Sequence, residues 1–95
     1  MYYATHRLHI KKGNPLMLQV VKVENGRVVS FFDFTVELQS MLWVDEIVIS
    51  ENGFLGPDFS LDSLPDEIPD VDNLSLSAFS IISSSADGVR FVRLG

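Results

Sequence analysis

The chain of 95 residues contains no cysteine. That excludes a disulfide framework, a thiolate metal site and a cysteine nucleophile together. Histidine is nearly as scarce. Any hydrolytic triad would have to take its base from His6 or His9, and no serine sits in a G-x-S-x-G turn. The six glycines are scattered singly, so neither a phosphate loop nor a dinucleotide fingerprint is present. We therefore expect no enzyme and no cofactor. No stretch approaches the roughly 20 apolar residues of a membrane span, and the N-terminus MYYATHRLHIKKG lacks the apolar run of a signal peptide. These absences predict a cytoplasmic protein with no membrane partner.

Base is also missing over a long stretch. All seven Lys and Arg stand at positions 7, 11, 12, 22, 27, 90 and 93, while twelve of the thirteen carboxylates lie between Val28 and Val89. Phosphate backbones are bound by Lys and Arg that displace counterions. A net charge of -6 argues against that, and the strip of Tyr2, Tyr3, Arg7, His9, Lys11 and Lys12 is too sparse to reverse it. No nucleic acid partner is expected. The acid is densest in PDFSLDSLPDEIPDVDNL, residues 57–74, which holds six carboxylates. A calcium loop would need a tight Gly turn among its ligands, and none is there. Two readings remain: a solvated loop, or a strip that docks on a basic protein partner through Asp66, Glu67, Asp70 and Asp72, with Phe59, Leu61, Leu64, Ile68 and Val71 as anchors.

What is present is strand. YYATHRLHI alternates, with Tyr2, Ala4, His6, Leu8 and Ile10 on one side and Tyr3, Thr5, Arg7 and His9 on the other. Residues i and i+3 of a strand face opposite ways, so His6 and His9 do not form a metal pair. His6 is expected partly buried and His9 on the surface. LMLQVVKVENGRVVSFFDF is a hairpin on an Asn25-Gly26 type I′ turn. Its register would set Glu24 opposite Arg27, Val23 opposite Val28, Val21 opposite Ser30, Gln19 opposite Phe32 and Met17 opposite Phe34. Residues 35–44 fit helix or strand, with an extended reading broken at Gln39-Ser40 preferred. EIVIS is a short strand. Three prolines keep the acidic loop, 54–73, out of any sheet interior, and Ser60 can cap a single turn before Pro65. LSLSAFSIIS and GVRFVRLG form a closing hairpin around residues 86–88, with a bulge expected near Ala78.

The run LQVVKVENGRVVSF, residues 18–31, resembles the strand-turn-strand that opens the accessory β sandwich of amidohydrolase-superfamily enzymes. That resemblance implies a related small β architecture, without their catalytic barrel and with no catalytic residue to carry over.

The whole predicts one domain over residues 1–95, all-β or nearly so, built as a small six-strand sandwich or open barrel. Its hydrophobic fraction of 46% is generous for so thin an interior. Surplus apolar surface predicts self-association, with a homodimer the expected form and Phe31 and Trp43 as anchors. The functional expectation is a noncatalytic module that binds another protein or itself. Its rival is a β-domain with an apolar cleft for a small ligand, lined by Tyr3, His6 and Trp43.

Overall fold

The computed structural model describes residues 1–56, 58–70, 75–84 and 88–95. Its segments rich in Val, Ile, Phe and Tyr form six strands: β1 (Tyr2–His9), β2 (Leu16–Glu24), β3 (Arg27–Asp33), β4 (Met41–Ser50), β5 (Ser77–Ser84) and β6 (Gly88–Arg93). They make one open mixed sheet in the order β3-β2-β1-β4-β5-β6. The central pair, β1 with β4, is parallel, and the other neighbours are antiparallel. The sheet curls until the Val28 N–H donates to the Leu76 carbonyl at 2.9 Å. This joins the β3 edge to the residue before β5 without closing a barrel.

The nearly all-β fold with six strands is as the sequence predicts, and so is the Asn25-Gly26 turn. Both turn residues take positive φ, 53° and 75°, the geometry that matches the right-handed twist of the flanking strands. The ambiguous stretch resolves with a turn at Gln39-Ser40, after which β4 runs unbroken to Ser50. The hairpin register holds for Glu24 with Arg27 and Val23 with Val28, then departs. Val29 is inserted as a bulge, so Val21 faces Phe31 and Gln19 faces Asp33. The bulge changes the pleat phase of β3 and turns both Val28 and Phe31 toward the core. No irregularity occurs in β5, contrary to expectation: both its faces are covered, Ala78 by one apolar cluster and Phe79 by another.

A second change of phase runs across the three central strands. The inner cluster takes Tyr3 and Leu8 from β1, Val21 and Leu16 from β2, and Val44 and Ile47 from β4. Each pair is an odd number of residues apart, and strict alternation would put its members on opposite faces. The switch falls where both ladders of β1 skip a pair, at His6, Leu18 and Asp45. Leu18 sits there at φ 50°, a left-handed conformation that a leucine seldom adopts. Thr5, fully buried, holds the kink together. Its Oγ1 lies 3.0 Å from the carbonyls of both Arg7 and Asp45, donating its proton between them, and accepts from the Arg7 N–H at 3.3 Å. The kink reverses the histidines relative to expectation. His6 is exposed and His9 is buried.

The core has two parts. The inner cluster of Tyr3, Leu8, Ile10, Val21, Ile47, Ile49 and Leu76 fills the curl. A smaller outer cluster packs Leu55 and Leu64 of the acidic segment against Val48 and Phe79, with Phe59 edge-on to Phe91 at 5.3 Å. A 3-10 turn, Leu61–Ser63, is capped by Ser60, whose Oγ accepts from the Asp62 N–H at 3.2 Å.

Two outcomes are expected in urea denaturation. Thr5→Val keeps the shape but strands the carbonyls at the kink, and should cost about 1–3 kcal/mol. Leu64→Ala should cost about 2–4 kcal/mol by opening a cavity under the acidic segment. A loss under about 0.5 kcal/mol in either variant would contradict the corresponding contact.

Candidate functional site

Paired residues of neighbouring strands point to the same side of a sheet. One outward row across β3, β2, β1 and β4 therefore reads Phe32, Val20, Ala4, Trp43. The two small members in the middle are wholly buried, whereas Phe32 and Trp43 at the ends are 41% and 46% exposed. Further rings surround the row. Tyr2 meets Phe32 edge-on at 6.4 Å, His6 lies 5.3 Å from Trp43 at 31°, and Phe34 lies 5.2 Å from Trp43. Met17 and Leu18 extend the patch as exposed apolar side chains. The outer sheet face is thus covered by the acidic segment over one half and by five rings alone over the other.

A charged ridge divides the halves. Arg7 bonds Glu46 at 2.9 Å and Asp45 at 3.3 Å, and His9 Nε2 lies 2.8 Å from the other Glu46 oxygen. The far border of the patch carries Lys22, 3.4 Å from Glu24 and 5.7 Å from the centre of the Tyr2 ring. The hydrogen bond and charge of Glu24, then the charge of Tyr2, raise the Lys22 pKa above the ordinary lysine value. The patch is therefore bordered by both signs of charge.

The anticipated residues fall out unevenly. Trp43 lies in the aromatic face, but Phe31 is half-buried against the inner cluster. Phe32 takes the outward position because the Val29 bulge shifts the register by one. Tyr3 points into the core while His6 and Trp43 stack outside, so the three do not line one cleft. Of the docking acids, Asp66 lies 3.5 Å from the Lys12 ammonium, Glu67 and Asp70 belong to the described segment, and Asp72 lies outside the described residues, as does Val71. The anchors are divided. Phe59 and Leu64 are taken up by the outer cluster, leaving Leu61 and Ile68 exposed. The aromatic face as a whole was missed from sequence, although the alternation of Tyr2, Ala4 and His6 was a usable signal.

Among the described residues, no group of three or more His, Asp or Glu is placed to hold a metal ion, and no helix is long and apolar enough to cross a membrane. Compared with protein-family models, with curated proteins and with solved structures, the chain finds no match in any of the three.

The packing of Phe34 on Trp43 gives a direct check. Phe34→Ala should move the emission of this sole tryptophan to longer wavelength as water reaches the indole, at a stability cost of about 0.5–1.5 kcal/mol. An unchanged emission maximum would mean that the two rings do not pack in solution.

Proposed function

We propose that this protein is a noncatalytic cytoplasmic β-domain that works by association, and that the aromatic face of β1 to β4 is its contact surface, with a second copy as the first partner. The observation that carries this reading is the outward row Phe32, Val20, Ala4, Trp43, whose ends stay half-exposed. The rest of the chain covers the other half of the same face with Leu55, Leu64 and Phe59. Large contiguous apolar patches on small proteins mark contacts with another macromolecule, and aromatic residues are the side chains enriched at the energetic centre of such contacts.

Charge favours a second copy over a strongly charged partner. The borders of the patch carry Arg7 and Lys22 beside Asp45 and Glu24. A twofold axis through the patch would bring basic groups of one subunit to acidic groups of the other, as a self-complementary contact requires. Two such faces packed together would form a sheet-on-sheet interior about 10 Å thick. The dimer would thereby complete the sandwich that one chain leaves open.

Analytical ultracentrifugation across a concentration series tests this. The natural protein should sediment at twice its chain mass of 10.6 kDa, and the Phe32→Ser, Trp43→Ser double variant should sediment as a monomer with its circular dichroism unchanged. A monomeric natural protein at high micromolar concentration, or a dimer that survives both substitutions, would overturn the reading.

A further inference from the structure

The inner cluster leaves an open cavity at the end of the sheet where β4 gives way to the acidic segment. Its volume is about 340 Å³, within the range of pockets that hold small ligands. Ile10, Ile49 and Leu76, each at most 2% exposed, form its apolar base. Leu64, Pro65 and Pro69 of the acidic segment form a wall. That wall is fixed to the chain just after Ile10 by the Lys12 N–H, which donates to the Pro65 carbonyl at 2.8 Å. The prolines leave few ways for this wall to rearrange.

The polar groups gather at the mouth. Ser50 Oγ accepts from the Asn52 N–H at 3.1 Å and sets the turn that carries Glu51 and Asn52 past the end of β4. Glu51 and Asn52 line the cavity, and the Glu51 carboxylate and the Asn52 side-chain amide make no hydrogen bond or ion pair with any described residue. Lys12 sends its ammonium to Asp66 at 3.5 Å, and among the described residues that line the cavity Glu51 is the one that carries a charge.

We infer that this cavity binds a small organic cation, a primary ammonium carried on a short apolar body. The body would lie against Ile10, Ile49 and Leu76, and the ammonium would reach the Glu51 carboxylate with the Asn52 carbonyl as a second acceptor. Charge complementarity selects this class. An anion would be repelled by the Glu51 carboxylate, and a neutral apolar molecule would leave Glu51 unused. This inference is independent of the aromatic face, none of whose residues lines the cavity. It also relocates the apolar cleft expected from sequence, away from Tyr3, His6 and Trp43.

The test is a titration of the ¹⁵N-labelled full chain, read by backbone amide shifts, with benzylammonium, 2-phenylethylammonium and cyclohexylmethylammonium chlorides. Each is paired with the neutral alcohol of the same skeleton. At least one ammonium should give saturable shifts at residues 49–52, 63 and 64, and its alcohol should bind about fivefold more weakly. Glu51→Gln should erase that difference. Ser63→Phe, at an exposed position of the lining, should block binding while the amides of β1 to β3 keep their shifts. The inference is overturned if no ammonium saturates, if each alcohol binds as well as its ammonium, or if the shifts fall at Tyr2, Phe32 and Trp43 instead.

Discussion

The arrangement of this sheet hangs on one hydroxyl. Thr5 sits fully buried at the point where β1, β2 and β4 change pleat phase together, and its Oγ1 serves the carbonyls of Arg7 and Asp45 and the N–H of Arg7. An interruption of two ladders at one place would otherwise leave buried backbone groups unpaired, which costs more than a typical hydrogen bond returns. With the hydroxyl in place, the sheet can bend there. Tyr3, Val21 and Val44 on one side of the bend and Leu8, Leu16 and Ile47 on the other then reach the same interior. Without that change of phase, half of the inner cluster would point to solvent.

The bend also decides what the outer face looks like. On one side of it the outward positions are Ala4, Val20, Phe32 and Trp43, and on the other they are Arg7, His9, Glu46 and Val48. Small residues in the middle of a sheet let larger neighbours lean over them, and here the neighbours are rings. Exposed rings over a dry floor suit contact with another surface, since aromatic side chains bring large area with few rotatable bonds.

The acidic segment combines two roles that its composition does not separate. Leu55, Leu64 and Phe59 hold it on the outer face by burial, and its prolines keep it out of the hydrogen-bonded ladders. Its six carboxylates give a small apolar protein the net charge that favours solubility. The same segment walls a cavity with Leu64, Pro65 and Pro69.

Local pattern by itself determined the number of strands, the Asn25-Gly26 turn with its first two pairs, the cap at Ser60 and the exclusion of the acidic segment from the sheet. Each depends on a few adjacent residues: a pair that tolerates positive φ, a run of β-branched side chains, a proline without an N–H. Which face each residue takes was decided only by the tertiary structure. Period-2 alternation is a phase, and one inserted residue such as Val29, or one kink such as that at His6, Leu18 and Asp45, inverts everything beyond it. That is why Phe31 and Phe32 exchange roles and why His9 is buried while His6 is exposed. The parallel pairing of β1 with β4 was equally illegible, because it joins segments more than thirty residues apart, and so was the cavity, whose base, wall and mouth come from four separate stretches of chain. Contacts of that range are set by how the whole apolar supply is shared among competing surfaces, which no single window of the sequence contains.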